Sequence, residues 1–191
     1  MKVTRSISTT IETEQFELGD VISFTLTTGE EVKAKAVLET PEGMLFMTVD
    51  CLKDKRKMMV GESSLISYAN SDLRKKLNSE ILSIFPEEIK RRMVGMRMGN
   101  TNEFDMLRIP TEREILGENI YDDEPESVRQ FYGMENRRER IALGTVGVTK
   151  YWLANRFDEI GFYFVVIDTD GNADFRNCLG FFGVRPVFLL A

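Results

Sequence analysis

Histidine is absent from the 191 residues, and this excludes more chemistry than any other feature of the composition. Serine and cysteine hydrolases of the triad type, most zinc enzymes and most general-base catalysis near neutral pH depend on imidazole. Carboxylate and lysine chemistry stays open. Cysteine is scarce: Cys51 and Cys178 stand far apart, each in a largely apolar stretch, and the expectation is two reduced, buried thiols packing as small hydrophobes. No apolar run reaches the ~18 residues needed to cross a bilayer, and residues 1–7 lack the apolar stretch of a secretory signal, so no membrane partner and a cytoplasmic location are expected. Positive charge is also short. With 25 Lys and Arg against 31 Asp and Glu, the net charge is -6, which argues against a direct grip on nucleic acid. The sequence contains no internal repeat, low-complexity tract or interdomain linker.

Apolar material, by contrast, is plentiful. Hydrophobic residues make up 42% of the chain and include 13 Phe, enough for one core that buries roughly 70% of the surface an unfolded chain would expose. The expected organisation is an N-terminal arm or edge strand over residues 1–15 and a single domain over residues 16–191. The domain centres on residues 151–190. Tyr151-Trp152-Leu153, the run from Phe162 to Ile167, and the run from Gly183 to Leu190 are apolar with almost no polar relief, so these strands need cover on both faces.

Upstream, residues 20–27 and 31–38 alternate around Thr28-Gly29 as a hairpin with one wet face, and residues 44–49 add a more buried third strand. Lys53, Lys55, Arg56 and Lys57 form a basic run that suits a solvated loop, with a contact patch for an acidic partner as the alternative. Ser71 or Asn70 is placed to cap a helix whose apolar stripe is Leu73, Leu77, Ile81 and Leu82. A second short helix is expected after Pro86, with Ile89 and Met93 facing in. A turn-rich loop follows Gly95, then a short strand over residues 104–110. Thr111 and Glu114 have capping-box spacing and open a helix that stops near Gly117. Residues 119–130, with Asp122, Asp123, Glu124 and Glu126, are acidic and are expected to form an ordered surface loop or a short helix. Arg137, Arg138 and Arg140 are interleaved with Glu135 and Glu139, which predicts local surface pairing of little worth to stability.

Few residues suggest a chemical site. Asp168, Asp170, Asn172 and Asp174 alternate as calcium ligands do, but the glycine is displaced and Leu179 stands where a bidentate Glu belongs. Asp170-Gly171 reads better as a two-residue hairpin turn. Gly180 and Gly183 fit no phosphate-loop spacing and serve to bend the backbone before a buried strand. Arg185 interrupts an apolar run, so its guanidinium needs a carboxylate or carbonyl partner, and it is expected to hold the last strand to the helical layer, with a role in binding a ligand anion as the alternative. Trp152 is expected to pack on the helices, with a ligand-facing wall as the alternative. No catalytic residue and no cofactor is assigned.

Three segments together resemble the DUF6273 domain family. The stretch Ser67-Tyr68-Ala69-Asn70-Ser71-Asp72-Leu73-Arg74-Lys75-Lys76-Leu77-Asn78 resembles its helix start, Tyr151-Trp152-Leu153 its Trp-Leu strand, and Gly183-Val184-Arg185-Pro186 its terminal motif. Departures are Tyr68 and Lys76 where that family has Trp, and Ala154-Asn155 where it has Arg-Ser. The resemblance implies an α+β, C-type-lectin-like domain akin to the formylglycine-generating-enzyme-like group: a twisted antiparallel sheet, two main helices and long irregular loops. It also implies a phage or mobile-element origin, with the host-cell cytoplasm or the virion as location. The reactive cysteine pair of the oxidising enzymes in that group has no counterpart in Cys51 and Cys178.

The expected function is therefore a non-catalytic module that binds a host protein through loops between Gly95 and Val148. Asp122, Asp123, Glu124, Glu126, Arg137 and Arg138 form its partner face, and one form of the idea is an antagonist of a host defence system. Arg185, Trp152, Leu73, Leu77, Asn78, Gly171 and Gly183 are expected to be structural. The alternatives are a carbohydrate or small-ligand binder on a virion, using Trp152 and the acidic hairpin, and an enzyme using Asp105, Glu112 and Glu114.

Overall fold

The structure is a computed structural model that describes residues 2–4, 10–12, 15–61, 67–97, 103–157 and 162–191. Lys2–Thr4 (β1) and Thr10–Glu12 (β2) pair antiparallel, and β1 also pairs with Val21–Thr25 (β3). Glu31–Thr40 (β4) and Gly43–Thr48 (β5) complete the expected meander. In β4, Val32, Ala34 and Ala36 point to one face, and the register then shifts between Ala36 and Leu38. Alternation puts Val37 on the opposite face, and the extra residue of this bulge keeps Leu38 there too instead of returning it to the face of Ala36, which is why the alternation seen in the sequence breaks there.

The Ser71 hydroxyl accepts the Arg74 amide at 3.1 Å and starts Asp72–Lys76 (α1), which runs on through a π-helical turn at Leu77–Ile81. Glu87–Lys90 (α2) follows Pro86 but ends early, so Met93 lies in Met93–Val94 (β6) rather than in a helix. Met96–Arg97 (β7) pairs with Phe104–Asp105 (β8), the only regular strand within the expected 104–110 run. The turn-rich loop expected after Gly95 lies partly outside the described residues.

Glu112–Leu116 (α3) and Arg137–Arg140 (α4) are short, and Ala142–Gly144 (β9) pairs with Gly147–Thr149 (β10). Tyr151–Arg156 (β11), Tyr163–Ile167 (β12) and Ala173–Asn177 (β13) form a three-stranded antiparallel sheet. Val187–Leu190 (β14) does not close that sheet. It inserts between β5 and β6, giving the seven-stranded order β2-β1-β3-β4-β5-β14-β6. The domain is thus mixed α and β, mostly antiparallel strands with a few short helices. No helix among the described residues is long and apolar enough to cross a membrane.

The strands that are apolar on both faces are covered on both faces. One core contains Phe46, Phe188, Leu190, Trp152, Phe164 and Val166 together with Leu73, Leu77, Phe85 and Ile89 from the helical segment. The other contains the alternate residues of the same strands, Leu45, Met47, Val187, Leu189, Tyr151, Leu153, Val165 and Ile167, packed with Ile115, Phe131 and Met134. Residues 183–186 stitch the two sheets together. Gly183 accepts the Trp152 amide at 3.1 Å, Val184 accepts the Leu52 amide at 2.9 Å, and Pro186 accepts the Thr48 amide at 3.0 Å. Gly183 is glycine for a contact reason: a Cβ there would collide with the Cys51 sulfur and sit 3.1 Å from the Lys150 carbonyl.

The Leu73/Leu77 and Arg74/Asn78 pattern has a mechanical meaning. Leu73 and Leu77 enter the core, while Arg74 and Asn78 use the neighbouring face of the helix to clamp the chain at residues 105–107. Arg74 Nε donates to Asp105 at 2.8 Å, and Asn78 accepts the Met106 amide at 2.8 Å while donating to the Leu107 carbonyl at 2.8 Å. Cys51 and Cys178 are free and buried. Burial pushes the Cys51 thiol up to about 12, with nearby Arg185 pulling weakly the other way. It therefore stays protonated through neutral pH, and the stability this confers is lost only as pH rises from 9 towards 12. Native protein at pH 8 is expected to resist alkylation at Cys51 while urea-unfolded protein labels fully, as mass spectrometry of the Cys51 peptide will read.

Candidate functional site

The longest irregular segment, residues 117–136, is rooted in α3. Thr111 Oγ1 accepts the Glu114 amide and Glu114 Oε2 accepts the Thr111 amide at 2.9 Å, so the capping box forms as expected. Glu114 is only 6% exposed and also receives Arg108, whose Nη1 donates to Oε2 at 2.7 Å. Gly117 ends the helix in a left-handed turn with φ of +81°. The chain then leaves the core, yet it does not lack contacts.

Glu112 is the anchor. Fully buried, its carboxylate accepts the Tyr121 and Asp122 amides, each at 3.1 Å. Burial pushes this carboxyl above the usual range, and the amides it accepts pull the other way. Holding it ionised therefore costs the fold something at neutral pH, which acidification relieves. Further out, Glu124 accepts the Arg113 amide at 2.8 Å, and the Gln130 and Arg129 side chains donate to the carbonyls of Ile115 and Glu39. The Tyr132 amide reaches Val37 in the sheet at 2.8 Å. The loop is pinned at both ends and in the middle, and presents Glu118, Asp122, Asp123 and Glu126 outwards.

A cleft of about 420 Å³ opens beside this loop, walled by Tyr121, Asp122, Tyr68, Arg156 and Phe157. Its aromatic side is rigid. Phe157 and Phe175 stack in parallel 3.8 Å apart, and Tyr121 meets Phe157 edge-on at 5.3 Å. Asn155 is 4% exposed and accepts the Glu112 amide, which holds α3 against β11. These residues escaped the sequence reading because their signal, aromatic residues at 157, 163 and 175, becomes a cluster only once β12 and β13 are paired.

Comparison with family models, curated proteins and solved structures gave no match to this chain.

The other expected site residues fall as follows. Asp168 is a turn residue whose Oδ1 accepts the Asp170 amide at 2.8 Å and the Asn172 amide at 3.1 Å. Asp170-Gly171 is not a two-residue turn. The Gly171 amide donates to the Asp168 carbonyl and the Asp168 amide to the Asn172 carbonyl, a three-residue loop with Gly171 left-handed at φ of +79°. The Asp168 side chain favours this wider loop by satisfying two amides inside it. Asp174 is 3.0 Å from Lys150 and also pairs with Arg176. Partial burial raises its pKa, but these cations and the Phe175 amide outweigh that and hold the carboxyl below its usual range. Among the described residues no cluster of three or more metal-ligating side chains occurs.

Trp152 is fully buried, its Nε1 donating to the Arg56 carbonyl at 2.8 Å, and so cannot wall a ligand site. It packs edge-on against Phe182 and Phe164 as well as among the helical residues. Arg185 is buried and donates to the Thr48 carbonyl at 2.9 Å and the Tyr151 hydroxyl at 3.1 Å. It ties the terminal segment to β5 and β11 rather than to the helices. Arg137 and Arg138 are exposed on α4, and the local pairing expected there gives way to a bridge across the fold, Glu139 to Lys35 at 3.1 Å. Asp105, Glu112 and Glu114, the carboxylates of the enzyme alternative, are engaged by Arg74, by backbone amides and by Arg108 respectively.

Proposed function

We propose that the protein is a non-catalytic recognition module of C-type-lectin-like type, from a phage or mobile element, that binds a basic surface of a host protein. The binding face is the acidic rim of the 117–136 loop, Asp122, Asp123, Glu124 and Glu126, with the adjoining cleft and the flanking Arg137 and Arg138. The observation that carries this reading is the Glu112 anchor: a buried carboxylate spent on holding two amides of an exposed acidic loop. A loop fixed before binding loses little entropy on binding, and long ordered loops on a rigid scaffold are where recognition resides. The cleft can receive a cationic side chain between Asp122 and the faces of Tyr121 and Phe157, combining ion pairing with cation–π contact. One form of this function is antagonism of a host defence nuclease through competition for its basic nucleic-acid channel.

The triple reversal Asp122→Lys, Asp123→Lys and Glu126→Lys is expected to abolish capture of the host partner from lysate while leaving the circular dichroism spectrum and Tm near wild type. Wild-type capture is expected to weaken as salt rises from 50 to 500 mM. Partner capture unchanged by the reversal defeats the reading. A second reading, a small-ligand or carbohydrate binder, draws support from the stacked aromatic wall of the same cleft rather than from Trp152. A glycan array whose hits vanish on Tyr121→Ala would favour it.

A further inference from the structure

A second cavity, of about 150 Å³, lies between β4, β5 and α4, and Arg185 forms part of its wall. Arg185 is 2% exposed, and both of its hydrogen-bond acceptors, the Thr48 carbonyl and the Tyr151 hydroxyl, are neutral. Tyr151 cannot neutralise it as a phenolate: burial pushes that hydroxyl up, and its proton is donated to the Arg140 carbonyl at 2.9 Å. Cys51 is likewise held protonated by burial. Among the described residues no carboxylate lies within ion-pair distance of Arg185, and its Nη2 donates to none of them. A buried cation without a counter-charge costs several kcal/mol, so the site as it stands is short of one negative charge.

The rest of the wall points the same way. Lys35 and Arg138 bring two more cations to the cavity, against Glu139 and Asp50. Glu139 is already matched to Lys35 at 3.1 Å, and Asp50 accepts the Leu143 amide at 2.9 Å. Arg138 has no ion-pair partner among the described residues. The cavity therefore carries a net positive charge, two guanidinium groups with donors to spare, and room for a small group only. Guanidinium donors in pairs suit tetrahedral oxyanions.

We infer that this cavity is a binding site for a phosphate-class oxyanion, either the free ion or the terminal phosphoryl group of a small molecule. Arg185 binds it from beneath and Arg138 from the rim, and the Lys35–Glu139 pair sets the field at the entrance. The inference shares Arg138 with the proposed partner face but does not require that reading, since the buried Arg185 and the cavity beneath it carry the argument.

Thermal unfolding of the full chain tests it, with phosphate, sulfate, acetate and adenosine monophosphate compared against chloride at matched ionic strength. Phosphate and sulfate at tenfold excess over Kd are expected to raise Tm by about 3–6 °C. A response to the nucleotide as well identifies a phosphoryl terminus as an acceptable source, and a response to phosphate and sulfate alone identifies the free ion. Arg138→Ala, at an exposed position, is expected to weaken binding about tenfold, and Glu139→Gln, which frees Lys35, to tighten it. A purely structural role for these residues predicts neither change. Arg185→Gln is expected to abolish the response. No shift beyond the chloride control in the wild-type protein, or a shift with acetate alone, overturns the assignment.

Discussion

Trp152→Ala is expected to destabilise the domain by about 3–5 kcal/mol, the range for truncating a buried aromatic side chain. The indole is fully buried between Phe164 and Phe182, on the strand that carries alternate residues into both cores. Removing it opens a cavity that the flanking sheet cannot collapse to fill, because β11 is fixed on either side by β12 and by the Gly183 carbonyl. It also removes the Nε1 donor from the Arg56 carbonyl, which is left with the Phe182 amide alone. Urea unfolding followed by fluorescence of an extrinsic dye will measure the change, and Trp152→Phe is expected to recover part of it. Val146→Ala, at a residue 97% exposed, serves as the control and should stay within about 0.5 kcal/mol of wild type. A loss below about 1 kcal/mol in Trp152→Ala would mean that the two cores do not share this strand as described.

Glu114→Ala is expected to cost a similar amount, about 3–5 kcal/mol, for an electrostatic reason. Glu114 meets Arg108 with both carboxylate oxygens; burial pulls the guanidinium's pKa down, and that carboxylate outweighs it and holds the pKa above its usual value. Truncation leaves a buried cation and removes the acceptor for the Thr111 amide in the same stroke. Since α3 roots the 117–136 loop, the variant is also expected to lose partner capture. The double replacement Arg108→Met, Glu114→Leu discriminates the causes. It should restore most of the stability, because two apolar groups of similar size leave no charge unpaired. If the double variant is as unstable as Glu114→Ala, the loss belongs to the capping box and not to the ion pair.

The parts of the fold that were legible in the sequence are those governed by local chemistry. Runs such as 162–167 and 187–190 have no polar face, so they need cover on both sides, and residues 164–167 and 187–190 lie between two cores as that requires. Ser71, Thr111 and Gly117 mark helix ends because each satisfies or releases backbone groups within one turn. What was not legible depends on chain path. Nothing near Glu112 in sequence says that its carboxylate will meet amides at 121 and 122, and nothing near β13 says that β14 will leave the neighbouring sheet for a place beside β5. Arg185 was legible as a buried cation that needs a carboxylate or carbonyl partner, but that the Thr48 carbonyl and the Tyr151 hydroxyl supply it was not. The mixed, mostly antiparallel architecture rests on the strands themselves, whereas the lectin-like type is a proposal drawn from the resemblance at residues 67–78, 151–153 and 183–186.

The position of β14 has a consequence for how the chain is made. Leu190 pairs with Met44 and Leu189 with Leu45, so a strand assembled early awaits a neighbour that is synthesised far downstream of it. Until then the meander offers a bare hydrogen-bonding edge at β5, with Phe46 and Met47 open to any passing strand. Pairings so distant along the chain also slow the search for the native arrangement. Biogenesis, more than the finished molecule, is where this topology is exposed to misassembly.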